Sequence, residues 1–226
     1  MNPLKKGTPE RALCDISNML NECPDEKHRY LLSCWLSEYS QYIKQERTFK
    51  PQFLKRYKRG EILKVNFGYR LGAEEGGPHY AVVLDKANSP YSDIVTVLPL
   101  SSKKPTNKPN KYTLDLGEEI YLLLKYKADN AFSRSITNIS ISPNPATPGQ
   151  EISVSVEIDY SKTQAILDEI NTMKEGSIAL ISQITSISKM RIIKPLRTTE
   201  ALSGICLCSD SLDKIDSRIR DLYLGN

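Results

Sequence analysis

The sequence has few of the residues on which metal and nucleophilic catalysis usually depend. Only two histidines, His28 and His79, occur among 226 residues, and neither belongs to an HExxH motif. No glycine-rich loop ends in Gly-Lys-Ser/Thr, and there is no GxSxG elbow. These absences argue against a zinc centre, a P-loop and an α/β-hydrolase nucleophile, so we expect no metal and no cofactor.

Cysteines and long apolar runs are also scarce. The five cysteines have no zinc-ligand spacing, because Cys206 and Cys208 are one residue too close for a CxxC motif. The longest apolar candidate, IYLLLKY, is far shorter than the roughly 20 residues that cross a bilayer. The N-terminus is charged and shows no apolar signal region. We therefore expect a cytoplasmic protein with reduced thiols and no membrane partner.

Positive charge is modest in total but uneven along the chain. The net charge is +4, and six cations fall within the connector ERTFKPQFLKRYKRG at residues 46–60. A positive face of this kind attracts phosphate, although a solvated surface is the commoner reason for it. Charge alone therefore leaves a nucleic-acid partner open.

Apolar periodicity predicts an α+β protein that is mainly β. Residues 8–46 have helical spacing with Thr8-Pro9 and Pro24-Asp25 as helix starts, whereas period-two alternation begins at Glu61. Strands are predicted at 62–67, 80–84, 94–98, 112–116 and 177–184, and 120–126 is assigned to a strand with a helix as the alternative. A hairpin is predicted from 139–141 and 152–158 around PNPATPGQ, and helices at 161–174 and 211–223.

The polar groups that can converge lie at strand ends. A loop with two glutamates and two adjacent glycines leads to His79, and the third strand ends in Pro-Leu-Ser-Ser, which includes Ser101. Metal-free RNA cleavage needs only such groups, because the 2′-hydroxyl of the substrate is the nucleophile. The protein must move two protons and stabilise charge on the phosphate, and an imidazole titrates in the required range. A lone loop histidine, however, is more often structural than catalytic.

Four blocks of the sequence stand in a recognisable order. They are RGEI at 59–62, GAEEGGPHYAVVL at 72–84, VTVLPLSS at 95–102 and ALISQITSISKMRI at 179–192. Together they resemble the MazF/PemK family of bacterial toxins over about half the chain. The resemblance implies an SH3-like small β-barrel of the MazF/CcdB type and a homodimer whose groove binds single-stranded RNA. It also implies a metal-independent, sequence-selective endoribonuclease that leaves a 2′,3′-cyclic phosphate and a 5′-hydroxyl, and a cognate antitoxin as partner.

The resemblance assigns roles position by position. His79 occupies the slot of the family's catalytic arginine in Gly-Gly-x-Arg-Pro, and Ser101 matches its catalytic Thr or Ser, so these two are the expected catalytic residues. Ser182 stands where some members carry an acid, which excludes a mechanism that relies on that acid. The expected RNA-binding residues are Arg70, Glu74, Gly77, Gln183, Thr185, Ser188, Lys189 and Arg191. A loop-ordering hydrogen bond is an equally good explanation of Glu74.

The departures from the family leave alternatives open. Without the arginine, the chain also fits a non-catalytic toxin such as the gyrase poison CcdB, or an inactive RNA-binding member of the family. Residues 1–55 are predicted to be a helical extension that serves as a packing layer, a dimer contact or a brake on the groove. Residues 56–226 are predicted to be the barrel domain, interrupted by an insertion at about 103–172 that forms a β-arm plus a helix. The basic loop 103–112 either lengthens the RNA groove or is a surface decoration.

Overall fold

The computed structural model describes residues 7–104, 109–143 and 152–225, which form two compact units. The first unit contains the residues up to Phe49 together with the loop Gly68–Gly77, and the second contains Lys50–Phe67 and the chain from Pro78 onward. The loop that precedes His79 therefore groups with the N-terminal helices, which the sequence did not indicate. The domain boundaries at residues 55 and 103–172 stay predictions.

The first unit has two helices, as predicted. Helix α1 spans Pro9–Glu22 and helix α2 spans Glu26–Gln45. The Thr8 side chain accepts a hydrogen bond from the Arg11 amide at 3.3 Å, and Asp25 accepts one from the His28 amide at 3.0 Å. These are N-cap bonds, and the bond from His28 lowers the pKa of the Asp25 carboxyl. Neither helix contains a buried residue.

The second unit is built on a mainly antiparallel sheet of seven strands, which confirms the α+β class. The strands are β1 (Ile62–Asn66), β2 (Pro78–Val83), β3 (Ile94–Ser102), β4 (Thr113–Gly117), β7 (Ser177–Leu180), β8 (Thr185–Ser188) and β9 (Ile192–Lys194). The chain segment between β4 and β7 contains a separate two-stranded sheet of β5 (Ile136–Pro143) and β6 (Ile152–Ile158). The order of the large sheet is β4-β7-β3-β2-β1-β9, with β8 also paired to β3. Among the described residues this order stays open at β4 and β9, so the expected barrel is not closed.

The two faces of the large sheet bury different clusters. Alternate residues of a strand point to opposite faces. One face carries Leu63, Val65, Ala81, Val83, Val95 and Val97 in a cluster completed by Tyr57, Phe67, Ile187 and Ile192. The other face carries Ile62, Val82, Leu98 and Leu100, and three helices cover it. We call these the Val65 face and the Leu98 face.

The helices on the Leu98 face are α3 (Glu119–Ser133), α4 (Ser161–Thr172) and α5 (Ser209–Ile219). The assignment of 120–126 to a strand is wrong and its helical alternative is correct, since these residues lie within α3. The reason is visible in the burial pattern: Ile120, Leu124 and Ala128, four residues apart, are buried together on one side of the helix. Helix α3 packs beside α4, and both contribute to the core.

The predicted hairpin forms from β5 and β6, with Ile139 opposite Val156 and Ser140 opposite Ser155. Its connecting turn, apart from Pro143, lies outside the described residues, as do residues 105–108 of the basic loop. The segment predicted to be an insertion, at about 103–172, thus contains β4 of the large sheet, the hairpin in its own sheet, and the helices α3 and α4 of the main core. Short 3₁₀ turns occupy Glu46–Thr48, Pro51–Phe53, Ile181–Gln183 and Lys189–Arg191, and a π turn at Arg220–Leu224 follows α5. Within the described ranges, no helix is both long enough and apolar enough to span a bilayer.

Candidate active site

His79 and Ser101 lie on the same face of the sheet, at the same end of two neighbouring strands. The pairs of β2 and β3 run from Val83↔Val97 to Ala81↔Pro99. His79 and Ser101 each lie two residues beyond that last pair, so strand alternation directs both side chains to the Val65 face. His79 pairs with Val65 of β1 on its other side, and both His79 and Ser101 are half-buried. The register thus places the two residues expected to be catalytic on the same face and at the same end of neighbouring strands.

The next segment of the site runs along the opposite edge of β3. Ser101 pairs with Ile178 of β7, and Val97 pairs with Thr185 of β8. The register places Thr185 on the Val65 face, together with His79 and Ser101. Gln183 closes the short turn between β7 and β8, which lies beside β3 between these two pairs. Gln183 and Thr185 are both half-buried.

Lys189 has a structural position. The residue is 2% exposed, its ammonium group donates to the Ser89 carbonyl at 2.8 Å, and its amide donates to the Asp93 carbonyl at 2.8 Å. Burial lowers the pKa of Lys189, while Asp85 and Asp93 oppose that shift. A cation buried in this way holds a loop rather than a solvated phosphate, so its placement argues against the expected RNA contact.

Ser188 and Arg191 also make local bonds. The Ser188 hydroxyl accepts from the Met190 amide at 3.3 Å and caps the turn Lys189–Arg191. The Arg191 guanidinium donates to the Asn66 carbonyl at 2.9 Å and to the Phe67 carbonyl. Arg191 therefore fixes the end of β1, and any RNA contact by these two residues stays a prediction.

The loop Gly68–Gly77 is ordered by contacts within the first unit. The Gly77 amide donates to the Gly68 carbonyl at 2.8 Å with Gly77 at φ +77°, a conformation that favours glycine. The Arg70 guanidinium lies 3.5 Å from the Glu74 carboxylate. This ion pair supports the loop-ordering explanation of Glu74. A role in RNA binding for Arg70, Glu74 and Gly77 stays a prediction.

Helix α2 holds the same loop through an aromatic contact. The rings of His28 and Tyr69 meet edge to face, with centroids 5.2 Å apart at 79°. The Tyr69 hydroxyl lies 3.0 Å from Nδ1 of His28 and also contacts its Nε2. The second histidine of the chain is therefore a structural partner of the loop.

A buried carboxylate lies on the Leu98 face, the side of the sheet opposite to the one that His79 faces. Sequence reasoning missed it. Glu169 of α4 accepts a hydrogen bond from the Tyr80 hydroxyl and forms an ion pair with Lys194 of β9. Burial and this bond raise the pKa of Tyr80. The available signal was an acid on the apolar side of a helix, between Ile166 and Ile170.

Part of the basic connector is neutralised inside the second unit. Lys55 forms an ion pair with Glu61 at 2.6 Å in which both side chains are buried, and Arg59 pairs with Asp216. Lys50, Arg56 and Lys58 remain at the surface and are exposed. The connector is thus an anchor as well as a positive surface.

No group of three or more His, Cys, Asp or Glu side chains able to hold a metal ion occurs in the portion of the chain that is described. The cysteines described there are free thiols.

The comparisons with known proteins give one family. Residues 58–130 match the model of the PemK-like, MazF-like toxin of type II toxin–antitoxin systems. The matched segment is about a third of the chain and contains Arg70, Glu74, Gly77, His79 and Ser101, whereas Gln183–Arg191 lie beyond it. No curated protein matches the chain. Residues 58–130, which hold the two expected catalytic positions on adjacent strands, are thus similar to the PemK-like, MazF-like toxin family.

Proposed function

We propose that the protein is a metal-independent, sequence-selective endoribonuclease that cleaves single-stranded RNA. The observation that carries the proposal is the placement of His79 and Ser101 on one face, at one end of β2 and β3, inside the segment that matches the toxin family. The family's SH3-like barrel is proposed as the fold, here in a form whose described strands leave the sheet open.

The proposed reaction needs no group beyond the protein and the RNA. The 2′-hydroxyl loses its proton and its oxygen attacks the adjacent phosphorus, while the bond to the 5′-oxygen breaks and that oxygen takes up a proton. The products are a 2′,3′-cyclic phosphate and a 5′-hydroxyl. His79 performs one of the two proton transfers, because an imidazole exchanges protons near neutral pH. Water or a second group performs the other.

Charge on the phosphate must be stabilised as the new bond forms. The Ser101 hydroxyl donates a hydrogen bond to a phosphate oxygen in this proposal, and Arg191 is the proposed cation. Lys189 is left out, since its ammonium group is buried against the Ser89 carbonyl. Gln183 and Thr185, beside β3, are proposed to contact bases or backbone.

The partners are part of the proposal. We propose a homodimer that binds RNA in its groove and a cognate antitoxin that blocks this groove. Light scattering on the purified chain measures its mass, and a monomer at micromolar concentration contradicts the dimer. Co-purification with the product of the adjacent reading frame tests the antitoxin.

The decisive experiment is cleavage of a labelled single-stranded RNA in the presence of EDTA. We expect cleavage by the wild-type chain, no cleavage of the deoxy analogue, and fragments with cyclic phosphate ends. The variants His79→Ala and Ser101→Ala should lose at least about a hundredfold in rate, the usual contribution of a proton-transfer group or an oxyanion contact. Ser102→Ala is the matched control, because alternation places Ser102 on the opposite face.

Two other outcomes point to the second candidate, a non-catalytic member of the fold. The specific observation that favours it is the histidine in the slot of the catalytic arginine. RNA binding without cleavage indicates an inactive RNA-binding protein, and neither binding nor cleavage indicates a toxin that acts by protein contact. His79→Arg distinguishes these cases further, since restored cleavage shows that only the arginine is missing.

A further inference from the structure

Helix α4 carries the most deeply buried acid among the described residues of the core. The Glu169 side chain is 1% exposed and lies on the helix face that also buries Ile166 and Ile170. Tyr80 donates to Oε1 of Glu169, and the Lys194 ammonium pairs with Oε2. An ionised carboxylate stays in such a place only when both oxygens have partners. Glu169 therefore bonds to β2 through Tyr80 and to β9 through Lys194.

Tyr80 is the residue immediately after His79 on β2, and its side chain points to the other face. At this position β2 pairs with β1, through Lys64↔Tyr80 and Val65↔His79, while its pairs with β3 begin only at Ala81↔Pro99. Lys64 adds a cation–π contact, with its Nζ 5.3 Å from the centre of the Tyr80 ring. The start of β2 thus has β1 on one side, and the Tyr80–Glu169 bond holds it from the Leu98 face.

The second partner of Glu169 reaches another part of the site. Lys194 pairs with Lys64 in the register of β1 and β9, and it lies three residues after Arg191. Arg191 in turn holds the Asn66 carbonyl at the end of β1. The Glu169 carboxylate is consequently bonded to β2, which carries His79, and to β9, which follows Arg191 in the chain.

We propose that Glu169 is a positioning residue that acts through Tyr80 to fix the orientation of His79. The inference rests on the proposed function for its catalytic consequence, and it gives helix α4 a role in the site itself. Loss of the Tyr80–Glu169 bond frees the start of β2, so the imidazole samples orientations that do not reach the reacting oxygen. Small misplacements of a reacting group lower the rate of the chemical step more than they weaken substrate binding.

The main variant is Tyr80→Phe, which keeps the aromatic ring over Lys64 and removes only the hydroxyl. The second is Glu169→Gln, which keeps the shape of the side chain and removes its charge. The matched control is Ile170→Val, which removes one methyl group from the same helix next to Glu169 and leaves the Tyr80–Glu169 bond in place. We expect Tyr80→Phe to lower kcat at least about tenfold with KM within about twofold, and Glu169→Gln to lower it as much or more. Ile170→Val should keep kcat at a temperature where all three variants are folded by circular dichroism.

A second readout, NMR of the histidine side chains, does not depend on activity. It is practicable because the chain has only two histidines. The imidazole proton signals of His79 and His28 are resolved by NMR at one pH and assigned with a His28→Asn variant. Tyr80→Phe and Glu169→Gln should shift the His79 signals and leave those of His28 unchanged, and Ile170→Val should shift neither. Unshifted His79 signals in folded Tyr80→Phe overturn the inference, as does an unchanged kcat in an active enzyme.

The two proposals fail in distinguishable ways. Should the wild-type chain cut no RNA while His79 still shifts in Tyr80→Phe, the endoribonuclease proposal fails and the coupling of residues 169 and 79 is supported. Should RNA be cut with an unchanged kcat in Tyr80→Phe, the endoribonuclease proposal holds and the positioning role is refuted.

Discussion

The two pairs of helices in this protein show how similar apolar stripes lead to different structures. Helices α1 and α2 carry leucine and isoleucine at helical spacing, yet no residue of either is buried. Helices α3 and α4 bury Ile120, Leu124 and Ala128 on one and Ile166 and Ile170 on the other, against the Leu98 face of the sheet. A stripe predicts a helix, but only a neighbouring surface decides whether the stripe enters a core.

The sharpest test of this comparison is Leu124→Ala in α3. Leu124 is 0% exposed, so truncation removes buried carbon atoms and leaves a cavity between helix and sheet. We expect a loss of about 2–5 kcal/mol in the free energy of unfolding, measured by urea denaturation. A loss under about 1 kcal/mol would contradict the assignment of α3 to the core.

The next effect concerns the link between α3 and α5. Glu119 accepts from the Cys208 amide at 2.6 Å and from the Ser211 hydroxyl, and so caps the N-terminus of α5 from a distant helix. Glu119→Ala should lower the free energy of unfolding by about 0.5–2 kcal/mol, as losing an N-cap does. Glu118→Ala, the neighbouring acid, is the control and should change stability less.

A smaller effect depends on pH. Lys103 lies 2.7 Å from the Asp115 carboxylate, and this bond, helped by the Gly117 amide, lowers the pKa of Asp115. A folded-state pKa below the unfolded value gives stability that is present above the unfolded pKa and is lost as pH falls through the folded pKa. Asp115→Asn should therefore reduce the acid-side fall in thermal midpoint and cost at most about 1 kcal/mol at neutral pH, since the pair is partly exposed. If the thermal midpoint falls equally with acid in the wild type and in Asp115→Asn, the Lys103–Asp115 bond is not a source of the acid dependence.

The smallest effect is expected in α1. Leu13 is 68% exposed, so Leu13→Ala removes atoms that already contact water. The free energy of unfolding should change by less than about 0.5 kcal/mol. This variant is the counterpart of Leu124→Ala, and a loss of similar size in both would remove the contrast between the helix pairs.

Local rules predicted most of the elements. The N-caps Thr8 and Asp25, the alternation in β1–β3 and the hairpin all follow from short-range steric and hydrogen-bonding preferences, which the sequence displays directly. The segment 120–126 was assigned wrongly because seven mostly apolar residues fit a buried strand as well as a helix. Its burial every four residues became visible only against the sheet.

The candidate site was predictable in part, for a different reason. The family blocks pointed to His79 and Ser101, and strand alternation then placed them on one face. The same blocks pointed to Lys189, whose charge suggested RNA although its ammonium group is buried against a carbonyl. Glu169 lies 90 residues after His79, and no local pattern links them.

By itself, the sequence determined which segments have the apolar periodicity of strands and which have that of helices. It also determined that the cysteines and histidines have no metal-site spacing, and which toxin family the chain resembles. Only the tertiary structure decided which apolar stripes are buried, which cations are bonded to internal carbonyls and carboxylates, and that helix α4 reaches the strand that carries His79. The physical reason is that periodicity and capping act within about a turn or a strand pair, whereas burial and ion pairing depend on residues far apart in the chain.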